Sequence, residues 1–187
     1  MKDEKNFETK EKSRKTILEL LLYNFPMQLA NRFGIEPYEV FAVIDSLDEK
    51  QKRQLQRERL KKRPFIYIKV KSEMEKRKIS AKGALSIIER TINNGKAGQL
   101  AEVYYILGEP LKSERVINSA IKSTSSESLK KSLEKQLESL KIEQKAEAVR
   151  KCGKQKGMSN SEIAMQAGVT ESFVIRVLGT RKLNLDR

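Results

Sequence analysis

The stretch Asn160-Ser161-Glu162-Ile163-Ala164-Met165-Gln166-Ala167-Gly168-Val169-Thr170-Glu171-Ser172-Phe173-Val174-Ile175-Arg176-Val177-Leu178 decides how the chain is read. Its apolar residues fall at helical spacing on both sides of a glycine. Ile163 and Ala164 face inward, and Ala164 is small enough for two helices to cross closely. Gly168 stands where the chain must turn, and there a left-handed backbone is cheap only for glycine. Val169 fills the core beside it, and Thr170 is placed to cap the next helix. Val174, Val177 and Leu178 then repeat at i, i+3, i+4, the inward stripe of a short amphipathic helix. Two short helices joined by a tight turn are expected.

Pro26-Met27-Gln28-Leu29-Ala30-Asn31-Arg32-Phe33-Gly34-Ile35-Glu36-Pro37-Tyr38-Glu39-Val40-Phe41-Ala42-Val43 repeats this skeleton. Leu29, Ala30, Gly34, Ile35, Val40 and Val43 match Ile163, Ala164, Gly168, Val169, Val174 and Val177 at identical spacing. Its outer face differs, with Glu36, Tyr38, Glu39, Phe41 and Ala42 expected there. Residues 24–49 hold one Arg and five acids, a net charge of −4. Such a face suits packing or protein contact, through 26–47, better than phosphate.

On these residues the 160–178 stretch resembles the helix-turn-helix family of DNA-binding modules, and 26–43 resembles it more weakly. The resemblance implies that the second helix lies in the major groove of double-stranded DNA. Thr170 would stand at its head, with Glu171, Ser172, Ile175 and Arg176 facing outward. Arg176 suits bidentate contact with guanine, Ser172 a base edge or a phosphate, and Glu171 the amino group of cytosine. Lys154, Lys156, Arg181 and Lys182 flank the unit and would grip phosphate. Residues 150–187 carry eight Lys/Arg and three Asp/Glu, net +5. Lys145–Leu178 is also similar to the C-terminal tail of some transposase-related nucleases. The upstream chain shows no acidic core of that kind, so the similarity stops at the tail and implies no activity.

The whole chain of 187 residues carries +14, with a pI near 9.8. A surplus this large favours a polyanionic partner, because each cation meeting a phosphate releases a condensed counterion. It is concentrated in residues 50–82, which hold fourteen Lys/Arg and three Asp/Glu, net +11. Lys61, Lys62 and Arg63 form its densest run and are the expected phosphate contacts.

The chain has no histidine and one cysteine. Ser-His-Asp and Cys-His catalysis are therefore excluded, as are zinc clusters and internal disulfides. Carboxylates are interleaved with lysine, the pattern of solvated helix faces. Gly95-Lys96-Ala97-Gly98 is expected to be a short turn and has no phosphate-loop pattern. No enzyme activity, no metal and no cofactor are expected. There is no apolar run of about 18 residues and no signal-peptide pattern at the start, so the expected location is the cytoplasm, on the nucleoid in a bacterium.

Hydrophobic residues make up 38% and aromatics 6%, with no Trp. Leu, Ile, Val and Ala must fill the core, which suits an all-α, multi-helix fold. Four segments are expected. Residues 1–49 form an N-terminal helix-turn-helix-like unit, 50–82 the basic segment, and 83–125 a helical middle. Residues 126–187 form one long helix and the C-terminal helix-turn-helix. Phe65-Ile66-Tyr67-Ile68-Lys69-Val70 reads equally as a short strand or the start of a helix. Helices are expected over Ser80–Asn94, stopped by Asn93-Asn94-Gly95, and then over Ala97–Leu107 and Leu111–Ile121. In the long helix, Leu129, Leu133, Leu137 and Leu140 form a stripe that either packs on the chain's own core or makes a homodimer seam through 126–156.

The leading expectation is a sequence-specific DNA-binding protein, a transcriptional regulator or a plasmid or phage maintenance factor, acting as a dimer. The alternatives are a non-enzymatic helical adaptor for another protein and an RNA-binding protein using the basic segment. Against the last, aromatics among the basic residues are limited to Phe65 and Tyr67, few for a stacking platform.

Overall fold

The computed structural model describes residues 13–155 and 157–179. Among these the regular structure is entirely helical, with eleven helices, and the protein is all-α as its composition suggests. Residues 13–21 form α1. Then follow α2 (Pro26–Phe33), α3 (Pro37–Asp45), α4 (Glu49–Lys61), α5 (Pro64–Arg77) and α6 (Ala81–Thr91). The rest are α7 (Asn94–Ile106), α8 (Pro110–Ser123), α9 (Glu127–Gly153), α10 (Asn160–Ala167) and α11 (Glu171–Leu178).

All four prolines of the sequence are the first residue of a helix: Pro26, Pro37, Pro64 and Pro110. Proline costs nothing there, since that N–H has no helical partner, and its fixed φ is already helical. Pro64 thereby settles Phe65–Val70, which belong to α5. Ile66 is buried and Val70, one turn on, is half-buried, so the inward face follows helical and not strand periodicity.

Gly95–Gly98 is not a turn. These residues lie in the first turns of α7, with Asn93 as the extended residue before it, and α6 already ends at Thr91. Gly98 has a packing reason to stand in a helix. A Cβ there would run into the side chain of Gln136 on α9. Gln136 Nε2 donates to Gly98 O (3.2 Å) and to Glu102 Oε1 (2.8 Å).

The chain forms two compact units. One contains the chain up to Lys52 together with the chain from Ile142 onward, and the other spans Arg53–Lys141. The first of the four expected segments thus meets the part of the last from Ile142 onward in a single unit, while residues 126–141 fall with the two middle segments. Its core gathers Met27, Phe41, Ala146, Val149, Cys152, Ile163, Ala164, Val174 and Val177. A carboxylate also lies inside it. Glu143, on α9, is buried and accepts a hydrogen bond from the backbone N–H of Gln28 in the first turn of α2 (3.0 Å).

In the unit spanning Arg53–Lys141, α7 and α8 pack as a helical pair, with buried Ser113 Oγ donating to Ala101 O (2.7 Å). α5 packs on α6. Glu102 joins α7 to two other elements, accepting from Arg63 Nε (2.8 Å) and from Gln136. Leu133 and Leu140 of the α9 stripe are buried by the chain itself, and Leu129 and Leu137 are half-buried.

Among the described residues no helix is long and apolar enough to cross a membrane, and no group of His, Cys, Asp and Glu is placed to hold a metal ion.

Candidate nucleic-acid interface

α10 begins with a reciprocal cap. Ser159 Oγ accepts from the Glu162 N–H (3.2 Å), and Glu162 Oε2 accepts from the Ser159 N–H (2.7 Å). The two hydrogen bonds to Ser159, backbone first, hold the Glu162 carboxyl below its ordinary pKa. α10 ends at Gly168 with φ 62°, the left-handed residue the sequence requires there. The chain folds back through Val169 N–H to Ala164 O (3.0 Å). Thr170 then caps α11, its Oγ1 accepting from the Phe173 N–H (3.3 Å).

The N-terminal copy is built alike. Gly34 has φ 65°, and Ile35 N–H donates to Ala30 O (3.1 Å), the equivalent bond in the equivalent place. Leu29, Ala30 and Val40 are buried, as are Ile163, Ala164 and Val174. Val43 is only half-buried, whereas its counterpart Val177 is fully so.

The two copies pack together, α3 against α11. Phe41, expected on the outer face of the N-terminal copy, is buried at 5% exposure and belongs to the shared core. Arg150 on α9 covers it, the guanidinium 4.5 Å from the ring centre and Nη2 bonded to Asp45 at 2.5 Å. Glu36, Tyr38, Glu39 and Ala42 do lie outside. No local pattern separates Phe41 from them, because its burial depends on elements more than 100 residues away.

Of the residues assigned to DNA, Thr170, Glu171, Ser172, Ile175 and Arg176 are exposed on one short helix and its cap. Three are already engaged. Ser172 Oγ and Thr170 Oγ1 share a hydrogen bond at 2.9 Å, and Arg176 Nη2 donates to Asn31 Oδ1 at 3.3 Å. Lys154 is exposed. Lys156, Arg181 and Lys182 lie outside the described residues.

Comparison with protein-family models, curated proteins and solved structures gives no match. What the chain does is therefore inferred from its own geometry and charge.

The charge is divided unequally. Residues 53–141 carry 21 Lys/Arg against 10 Asp/Glu, net +11. The remainder carries 18 against 15, net +3. The candidate reading helix thus belongs to the nearly neutral unit, and the acidic N-terminal copy packs beside it. In the basic unit, Lys61 and Lys62 are exposed, Lys61 bonded to Glu58 at 2.7 Å. Arg63 is not at the surface. It is 5% exposed, paired with Glu102, and its Nη1 donates to Arg59 O (2.9 Å). As the residue preceding Pro64 it turns inward at the junction of α4 and α5, and the sequence run of three cations conceals that change of direction.

The capping box of α10 has a visible signal in the sequence, since Ser159-x-x-Glu162 is its standard pattern. Asn31, the partner of Arg176, has none.

Proposed function

We propose that the protein binds double-stranded DNA through α11, with the basic unit supplying affinity through phosphate. The observation that carries this reading is the α10–α11 pair. It combines a left-handed glycine turn, a capped second helix, and Glu171, Ser172, Ile175 and Arg176 on the exposed face of that helix. A transcriptional regulator or a plasmid or phage maintenance factor fits it. A dimer would present two such helices to a palindromic site, and sedimentation of the chain with and without such a duplex tests that part.

The test uses the full chain in mobility-shift assays with duplex, single-stranded and RNA probes at several salt concentrations. Duplex preference and a selectable site are expected, with Arg176→Ala losing the site preference. Equal binding to all three probes would reject the reading. Deleting Asn160–Arg187 is a poor substitute for point changes, because Ile163, Ala164, Val174 and Val177 fill the core shared with Met27 and Phe41.

A specific observation favours a second reading, a helical adaptor. Met165 is 79% exposed and Ile175 42% exposed on α10 and α11, beside an acidic neighbour. Apolar side chains there suit a protein surface as well as a thymine methyl group. A chain that binds no duplex at low salt, where phosphate contacts are strongest, would favour it.

A further inference from the structure

The unit spanning Arg53–Lys141 holds a polar hollow that duplex binding by α11 does not use. Its volume is about 490 Å³, within the range of small-ligand sites. Residues of α6, α7 and α8 line it. Its buried floor is apolar, made by Ala97 on α7 and by Val116 and Ala120 on α8. Its charged lining is Arg90 near the end of α6, Arg115 on α8, and Glu89.

The carboxylate is already occupied within the fold. Glu89 Oε1 accepts from Arg115 Nη2 (2.6 Å), and Oε2 accepts from Tyr104 Oη (2.7 Å). The donors are not used up. Arg115 spends one nitrogen on Glu89 and is otherwise exposed. Arg90 is exposed and has no hydrogen bond or ion pair among the described residues. Asn94 accepts from Ser123 Oγ through Oδ1 (3.2 Å), which leaves its amide N–H groups facing other partners. The open capacity of the hollow is therefore donor capacity, and it comes from three helices. Two arginines against one carboxylate give the lining a net charge of +1, in a unit at +11.

Donors arriving from several helices suit the three terminal oxygens of a phosphate better than the two coplanar oxygens of a carboxylate. Guanidinium groups also bind phosphate through paired hydrogen bonds. We infer that this hollow binds a small organic phosphate, with its phosphate on Arg90 and Arg115 and its uncharged body on Ala97, Val116 and Ala120. A duplex keeps its bases stacked inside, so it can touch the arginines but cannot reach the floor. The inference does not depend on duplex binding by α11.

The experiment is calorimetry on the full chain, at salt high enough to suppress loose phosphate contacts. The probes are phenyl phosphate and adenosine monophosphate, and the controls are inorganic phosphate and adenosine. At least one probe is expected to bind roughly tenfold tighter than both controls, since only the probes meet floor and arginines together. Arg90→Gln should weaken that probe by about tenfold, the loss of a hydrogen-bonded charge contact. It strands no partner, and circular dichroism checks that the variant folds. Ser119 is an exposed lining residue on α8. Ser119→Leu should block the probe by filling the hollow, with no change of charge. Lys122→Gln, on the same helix but outside the lining, should leave the affinity unchanged. If neither probe binds more tightly than inorganic phosphate, only bare charge is sensed and the inference fails. Unchanged probe affinity in folded Arg90→Gln or Ser119→Leu would place binding elsewhere and overturn it. A short single-stranded DNA that binds where neither probe does, and is lost in both variants, would make the occupant a nucleic-acid strand and overturn it too.

Discussion

Arg176 on α11 donates through Nη2 to Oδ1 of Asn31 on α2, at 3.3 Å. The residue assigned to base reading is thus held by the N-terminal copy of the same skeleton. Both side chains are exposed, and the bond is long for its type, so a guanine edge competes with it easily. Asn31→Ala should leave site preference intact and tighten specific binding by at most roughly fivefold, since one weak hydrogen bond no longer has to be broken. Fluorescence anisotropy with a specific duplex measures this. If Asn31→Ala instead removes specificity, Asn31 itself reads the site or orients Arg176.

Glu143→Ala should destabilise the unit containing it by about 1–3 kcal/mol, because the Gln28 N–H at the start of α2 loses a buried acceptor. Glu143→Gln, which keeps an oxygen there, should cost less. Chemical denaturation followed by circular dichroism checks both, and equal losses would show that the negative charge, and not an oxygen acceptor or side-chain volume, is what matters at this position.

Ser159→Ala should cost about 1 kcal/mol through loss of the α10 cap. The Glu162 carboxyl adds an acid-side dependence. Its folded pKa lies below the ordinary value of 4.5, so its contribution is present above that value and is lost as pH falls through the lowered one. Melting temperatures of the wild type and Glu162→Gln should therefore differ near neutral pH and converge in acid, as the pH falls through the lowered value. A difference that persists undiminished at low pH would show that ionised Glu162 contributes nothing to the cap.

Arg63→Gln should destabilise the fold by on the order of 3 kcal/mol, since it removes the charge partner of Glu102, leaving only the Gln136 hydrogen bond, and thins a buried position. Lys61→Gln and Lys62→Gln should each leave stability nearly unchanged, as expected for surface substitutions away from any packed feature. Thermal melts of the three variants separate the structural cation from its exposed neighbours.

The helices themselves were legible because their signals are local. Proline at the first helical position, glycine past the last, and apolar spacing at i, i+3, i+4 act within a few residues. Gly168, Thr170, Ile163, Ala164, Val174 and Val177 stand in the structure as their sequence roles require. What the sequence concealed depends on distant partners. Phe41 is buried by α9 and α11, Arg63 turns toward Glu102 on α7, and Gly98 makes room for Gln136 on α9. The joining of α2 and α3 with α10 and α11 in one unit has no local signature at all. The matching skeletons of residues 26–43 and 160–178 could be read, but not that they share a core.

The proposed division of labour gives affinity to exposed cations of the basic unit and site preference to α11. The decisive measurement is duplex affinity against salt concentration for Lys61→Gln/Lys62→Gln and for Arg176→Ala, leaving Arg63 in place because it is buried. The double variant should weaken binding to specific and random duplexes alike and make the salt slope shallower, by roughly 0.9 for each phosphate no longer neutralised. Arg176→Ala should reduce the preference for the specific site by roughly 1–3 kcal/mol and leave the slope nearly unchanged. An unchanged slope in the folded double variant, together with unchanged site preference in Arg176→Ala, would contradict the proposal and leave the helical adaptor as the better reading.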